Sequence, residues 1–294
     1  MTLSFPLRRS LLLLGLCCTT PLLHAQTAAT PVEDTRSGAA LPRWEAGIAG
    51  AAFTVPDYPA ADEYRSLALP APYFVYRGRV LRADEEGSRL RRRLGANLEL
   101  DLSGGGALSS DSSGSDARRG MPDLGYLLEL GPNLRLTYPG PAHDSAVVVN
   151  LPVRGVISVG DGGLNWRGAV LAPELAYRAD RYLDSRLGIW LSLATEFGSG
   201  ALQRYFYEVA PRYATVDRPA YDADAGYLGS SLGLRGAYTL TPRLRLFASV
   251  RYYAYSGAAN QDSPLFRRDD GYTAAIGLSW TVLQSSKRAV DIDP

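Results

Sequence analysis

The chain has 294 residues, 21% of them charged, a formal net charge of +1 and a mean hydropathy of −0.10. After the N-terminus no run of roughly 18 or more apolar residues occurs, which excludes a membrane protein built from helices. The near-neutral charge gives no support for nucleic-acid binding, which draws on a strongly basic domain.

The N-terminus has the three parts of a secretory signal. Arg8 and Arg9 supply the charge, Leu11 to Leu23 is largely apolar, and Leu23-His24-Ala25 offers a small residue for cleavage. Cys17 and Cys18 suggest a lipoprotein signal, but Leu16 stands where that signal wants a small residue. Residues 1–25 read as the signal peptide. Their removal takes both cysteines and two arginines, which turns the charge from +1 to −1. An exported chain without cysteine draws its stability from hydrogen-bonded elements rather than disulfides.

Residues 26–42 are small, polar and proline-containing, and read as a periplasmic tail. Alternation begins at Trp44, Ala46 and Ile48. Phe53 to Pro70 reads as loop, because Pro56, Pro59 and Pro70 cannot donate to a ladder. A second strand is expected near Tyr73–Leu81, and Asp84-Glu85-Glu86-Gly87 reads as a turn. The third strand sets Leu94, Ala96, Leu98, Leu100 and Leu102 against Asn97, Glu99, Asp101 and Ser103. A Gly, Ser and Asp-rich loop, Gly104 to Pro122, follows. The fourth strand sets Leu124, Tyr126, Leu128, Leu130, Leu134, Leu136 and Tyr138 against Asp123, Glu129, Asn133, Arg135 and Thr137. Gly131-Pro132 reads as a bulge within it, with a tight turn as the alternative.

Further strands are expected near Ala146–Ser158, Gly168–Arg178, Arg186–Gly198, Tyr227–Thr239, Arg243–Tyr255 and Tyr272–Leu283. In the last, Tyr272, Ala274, Ile276, Leu278, Trp280 and Val282 form an apolar face with an aromatic near each end. Soluble strands average about five or six residues. This run matches a bilayer-crossing strand of roughly 9–11 residues instead. Short connections at 139–145, 179–185 and 240–242 alternate with long loops such as Ser199 to Gly226. That asymmetry belongs to a bacterial barrel with short periplasmic turns and longer extracellular loops. The expected fold is all-β, a transmembrane antiparallel barrel of about ten strands over residues 43–283, with eight or twelve as alternatives. Residues 284–294 form a C-terminal extension.

Charges lie opposite the leucines: Glu99, Asp101, Glu129, Arg135, Arg154, Glu174, Arg178, Arg186, Glu196, Arg235, Arg245 and Arg251. On the lipid face an Arg or Lys at the midplane costs roughly 2–4 kcal/mol, so these side chains are expected to line the lumen and pair across it. A narrow barrel filled that way is largely plugged.

Other chemistry finds little support. A Ser-His-acid hydrolase needs its base beside the nucleophile at an enclosed site, whereas His143, the one histidine left after signal removal, falls in an expected turn and reads as solvated. A zinc site needs three or four Cys, His or carboxylate ligands. The loop Asp111 to Asp116 lacks the glycine and distal glutamate of a calcium loop and reads as plain loop. No cofactor or metal is expected. The run Arg89, Arg91, Arg92, Arg93 is an interfacial rim anchor, the favoured reading, or a basic patch for anionic lipid, peptidoglycan or a protein partner. Tyr205-Phe206-Tyr207, with Tyr213 behind, is either an exposed recognition surface or an infolded plug, the second favoured because large exposed apolar patches need a partner.

Several segments are not forced by barrel physics. They are Pro56-Asp57-Tyr58-Pro59, Asp62-Glu63-Tyr64-Arg65, Leu69-Pro70-Ala71-Pro72-Tyr73-Phe74-Val75-Tyr76-Arg77-Gly78, Arg119-Gly120-Met121-Pro122-Asp123, Asp262-Ser263-Pro264-Leu265 and Gly277-Leu278-Ser279-Trp280-Thr281. In type and order they resemble the MipA/OmpV family of outer-membrane proteins, the MltA-interacting proteins. The resemblance implies a barrel in the outer membrane, in contact with its lipid. It also implies a non-enzymatic scaffold for peptidoglycan-remodelling enzymes, with a lytic transglycosylase as partner. A small-solute channel and a surface adhesin are the alternatives. One departure lies at the C-terminus, where Ala275 and Val282 stand at two of the four positions of the usual barrel-insertion signal and Gly277 and Trp280 fit it.

Overall fold

The computed structural model describes residues 42–77, 81–84, 87–90, 92–160, 163–182 and 186–287. The signal segment, most of the N-terminal tail, the Glu85-Glu86 turn, Arg91 and the end of the C-terminal extension lie outside the described residues.

One antiparallel sheet of fourteen strand segments makes up the wall. In chain order they are β1 (Trp44–Pro56), β2 (Tyr64–Arg77), β3 (Leu81–Asp84), β4 (Gly87–Leu90), β5 (Arg92–Arg93), β6 (Leu98–Ala107) and β7 (Tyr126–Pro139), then β8 (Ser145–Gly160), β9 (Gly163–Leu171), β10 (Glu174–Tyr182), β11 (Leu187–Gly198), β12 (Gly226–Thr241), β13 (Leu244–Ala254) and β14 (Asp270–Gln284). The first and last strands pair from Glu45↔Gln284 to Thr54↔Ala274. The two ends of the pairing path, β4 and β5, are separated by one residue of chain, so the sheet returns on itself.

Eleven segments are nine residues or longer, and β9 and β10 lie end to end between β8 and β11. They form one stave, which makes ten long staves. Its break at Ala172-Pro173 lies beside Pro152 of β8, whose own neighbour β7 carries Pro132. Three adjacent staves thus each lose a ladder donor at one level. Across Gly131-Pro132 the β7–β8 register is unchanged, from Leu130↔Gly155 to Asn133↔Pro152. The strand therefore neither turns nor gains a residue there, which corrects the bulge expected from sequence.

Period two holds along the wall. On β14, Tyr272, Ile276, Leu278, Trp280 and Val282 are exposed while Thr273, Ala275, Ser279 and Thr281 are buried. On β7, exposed Tyr126, Leu128, Leu130 and Tyr138 alternate with buried Leu127, Glu129, Asn133 and Arg135. An apolar outer face with a buried polar inner one is the reverse of a soluble sheet and the pattern of a lipid-facing wall. Tyr126 and Tyr138 lie at opposite ends of β7, as an aromatic girdle requires.

Three sequence expectations are corrected. β1 runs to Pro56 and β2 begins at Tyr64, so the loop between them is only residues 57–63. Pro70 does not break β2, because its nitrogen faces away from β1. Leu94 and Ala96 precede β6, and Leu124 precedes β7 and is buried beyond the end of the wall rather than lipid-facing.

Candidate functional site

The start of β1, the end of β14 and the turns 140–144 and 242–243 lie at one end of the barrel; at the other end the connections 57–63, 108–125, 199–225 and 255–269 fold over the opening. The third of these carries a helix, α1 (Gly200–Tyr207), not foreseen from the sequence. The signal for it was present: Leu202 and Phe206, and Gln203 and Tyr207, are i, i+4 pairs, and all four are buried. The Tyr205-Phe206-Tyr207 cluster is therefore infolded. With Tyr58, Leu124, Leu127, Val156, Leu228 and Leu265 it forms the largest apolar cluster among the described residues. Burying a side chain such as Leu202, Phe206 or Leu265 stabilises by roughly 1.5–3 kcal/mol each.

Hydrogen bonds tie the four connections to one another. The Tyr58 hydroxyl donates to the Leu265 carbonyl at 2.8 Å, and the Tyr207 hydroxyl to Pro59 at 3.0 Å. Arg118 donates to the carbonyls of Phe206 (3.1 Å) and Pro122 (3.3 Å), with its guanidinium 5.7 Å from the centre of the Tyr58 ring. Ser263 donates to the Tyr207 carbonyl at 2.7 Å. Asn260 donates to Gln203 (3.0 Å) and to the Asp224 carbonyl (2.9 Å), and Gln203 donates to the Gly226 carbonyl at 3.1 Å. Burial raises the pKa of Tyr58 and of Tyr207, so both stay neutral donors, and burial lowers that of Arg118. The carboxylates of the acidic loop are engaged locally, Asp111 by the Ser113 amide and Asp123 by the Ser112 amide. Among the described residues no group of three or more His, Cys, Asp or Glu is placed to hold a metal ion.

Below this plug a cavity of about 70 Å³ is lined by Tyr58, Leu127, Phe206, Tyr253 and Tyr255, with Glu129 and Glu196 on its polar side. Along β6 to β13 the interior is charged. Glu129 lies 3.1 Å from Arg154, which also donates to Ser103 at 3.2 Å. The β6–β7 register sets Glu99 opposite Arg135 and Asp101 opposite Asn133. From Asn133 a relay runs to Asn150 (3.3 Å), Glu174 (3.1 Å) and Arg251 (3.8 Å), and Arg251 reaches Ser231 at 3.0 Å. Arg235 lies 4.9 Å from the ring centre of Trp190. Arg245 is buried, as are Glu99, Asp101, Glu129, Arg135 and Arg154. Glu45, not singled out from sequence, is also buried and accepts from Thr281.

Arg92 and Arg93 pair as backbone with Leu100 and Glu99, towards the end of the barrel where β1 begins. Arg91 lies outside the described residues. His143 is exposed, in the turn between β7 and β8, 2.7 Å from the Asp144 carboxylate.

A barrel with an apolar outer band, a charged interior and long connections gathered at one end is a β-barrel of the bacterial outer membrane. More particularly, the chain belongs to the family of the MltA-interacting protein MipA, whose model matches residues 48–282. Among solved structures it is similar to the NanC porin (8% identity, TM-score 0.38, 79% of this chain and 98% of that one). It is also similar to the CymD monoaromatic hydrocarbon channel (11%, 0.33, 85% and 90%) and to the outer membrane protease OmpT from Escherichia coli (10%, 0.28, 81% and 95%). No curated protein matches the chain.

Proposed function

We propose that the protein is a non-enzymatic scaffold of the outer membrane that holds a peptidoglycan-remodelling enzyme, a lytic transglycosylase, at its periplasmic end. The observation that carries this reading is the filled interior. Four interlocked connections cover one mouth, and paired charges occupy the lumen beneath them. A plugged barrel offers its surfaces rather than its bore, and the family takes its name from an interaction with MltA. In this reading Glu99, Asp101, Glu129, Arg135, Arg154, Glu174, Arg235, Arg245 and Arg251 line and fill the lumen. Arg91, Arg92 and Arg93, with residues 284–294, supply the contact surface, where a cluster of cations steers an acidic partner.

The test is retention of a purified lytic transglycosylase by the mature protein folded in detergent. Binding that is lost when Arg91, Arg92 and Arg93 are all changed to Glu, with heat-modifiable mobility unchanged, supports the reading. Failure of the unaltered protein to retain the enzyme overturns it. Planar-bilayer recording is expected to be silent; discrete, reproducible openings would favour the channel instead.

A further inference from the structure

The wall is not evenly paired. β2 pairs along its whole length with β1, from Trp44↔Tyr76 to Pro56↔Tyr64. On its other edge, among the described residues, it pairs only through Tyr76 and Arg77, with β3. The stretch Ser66–Pro72 therefore has one strand neighbour, as has β6 beyond Leu100, whose other edge pairs only with Arg92 and Arg93.

Two prolines show that this edge is built as an edge. The β1–β2 register runs unbroken through Ile48↔Pro72 and Gly50↔Pro70. An antiparallel ladder can do so only if the nitrogens of the even-numbered residues point away from β1, because proline has no N–H to give. Pro70 and Pro72 thus place their nitrogens on the free edge and remove two donors that hydrocarbon could not satisfy. The same substitution disfavours an added strand, whose ladder would find two donors missing.

The lumen behind this edge differs from the rest. Tyr73 meets Thr281 at 2.6 Å inside the barrel, so the odd-numbered residues of β2 face inward. On β1 and β2 the inward residues include Ala49, Ala51, Phe53, Leu67, Leu69 and Ala71. None of these six is charged, Glu45 lying nearer the start of β1 and Arg65 at the top of β2, in contrast to the ion-paired lumen of β6 to β13. Leu69 remains 51% exposed on this inner face. The outer side of the gap continues the lipid-facing band, with Phe74, Leu100 and Leu102 exposed. Above, Arg65 closes the gap by donating to the carbonyls of Ser109 and Leu108, the latter at 3.4 Å, while its Nε lies 3.4 Å from Asp57.

We propose that the gap beside Ser66–Pro72 is a lateral window through which an acyl chain of a bilayer phospholipid lies against the inner face of β1 and β2. The chain is the occupant because the gap is continuous with the lipid-covered band, its inner lining is uncharged, and the prolines disfavour a strand. This inference does not depend on the scaffold reading.

The mature protein, folded into phosphatidylcholine vesicles whose acyl chains carry a mid-chain diazirine, is photolysed, and the adducts are mapped by mass spectrometry. Adducts are expected on Leu67, Leu69 and Ala51 at a yield of the same order as on lipid-facing Ile48, with background yield on inward-facing Ser231 and Ser249. Adducts confined to Ile48 and other outward residues overturn the proposal, whether the gap is then filled by protein or closed. Uniform labelling of Ser231 and Ser249 also overturns it, because the lipid would then occupy the lumen at large.

Discussion

The hydroxyl of Tyr58 donates to the backbone carbonyl of Leu265, 2.8 Å away and 207 residues further along the chain. The contact joins Pro56-Asp57-Tyr58-Pro59 to Asp262-Ser263-Pro264-Leu265, two of the segments in which the family resemblance resides. A third, Arg119 to Asp123, follows Arg118, whose guanidinium faces the Tyr58 ring and holds the Phe206 carbonyl. Alternation is shared by any transmembrane strand, whereas a plug needs particular donors aimed at particular carbonyls. Of the six segments in which the resemblance resides, four thus lie in or beside the plug connections and two lie on β2 and β14 of the wall.

Replacing Tyr58 by Phe keeps the ring against Arg118 and removes the bond to Leu265, whose residue is fully buried. A buried acceptor left without its donor costs roughly 1–3 kcal/mol. That cost falls on loop docking, since the wall is paired independently. Limited proteolysis of the folded variant should therefore cut within 255–269 faster than in the parent, with unchanged heat-modifiable mobility. Equal cleavage rates would mean that the bond does not hold the plug.

The two faces of β13 can be compared at one depth. Val250 is exposed and pairs with Leu234 and Ala274, while Ser249 sits inward opposite Arg235 and Ala275. Val250→Arg should cost about 2–4 kcal/mol in folding titrations into lipid vesicles if it lies near the midplane. Ser249→Glu, placed beside a guanidinium, should cost much less. A larger loss for the inward substitution would invert the faces of this strand, because register has a period of two.

Much of the wall was legible because lipid and lumen impose opposite demands on alternate residues, as in Tyr272 to Val282. Where the reading failed, the cause was local. Pro70 looked like a strand breaker, but a strand with a free edge tolerates proline, and sequence does not show which edge is free. Leu124 fits the alternation of β7 yet belongs to the plug, because an apolar residue suits lipid and loop core equally. The plug network was not legible at all. Arg118, Gln203 and Asn260 lie in three separate connections and meet only through the fold, and α1 was hidden within a loop whose aromatics drew attention as a cluster rather than as a helical face.

Gly168 provides a test of how the wall seats the plug. It follows the bulge that turns Arg167 inward, 4.3 Å from the centre of the Tyr205 ring. Its φ is 109°, and an added Cβ would lie 2.2 Å from the Ser199 hydroxyl, which accepts from the Ala169 amide. Gly168→Ala should therefore cost on the order of 1–3 kcal/mol in backbone strain and displace the start of α1. Tryptic cleavage at Arg204 should rise, whereas Gly50→Ala, with open space around its site, should leave it unchanged. Equal behaviour of the two variants would separate the bulge from the docking of α1.

Alkali should release the plug before it unfolds the wall. Burial raises the pKa of Tyr58, and it raises those of Tyr207 and Tyr255 well above the ordinary tyrosine value of 10.0. The docked loops thus retain protons that the released loops surrender. Their contribution to docking is complete below pH 10.0 and is lost as the pH climbs towards the folded values. The backbone hydrogen bonds of the ladder carry no titrating group. Tyrosinate absorbance of the folded protein should show a late phase from the plug tyrosines. The later phase should coincide with protease sensitivity of the loops while the β-sheet circular dichroism persists. Tyr58→Phe should move that phase to lower pH by weakening the docking it reports. A single ionisation phase near the ordinary value, with loops already open to protease, would show that these tyrosines are not held in a closed plug.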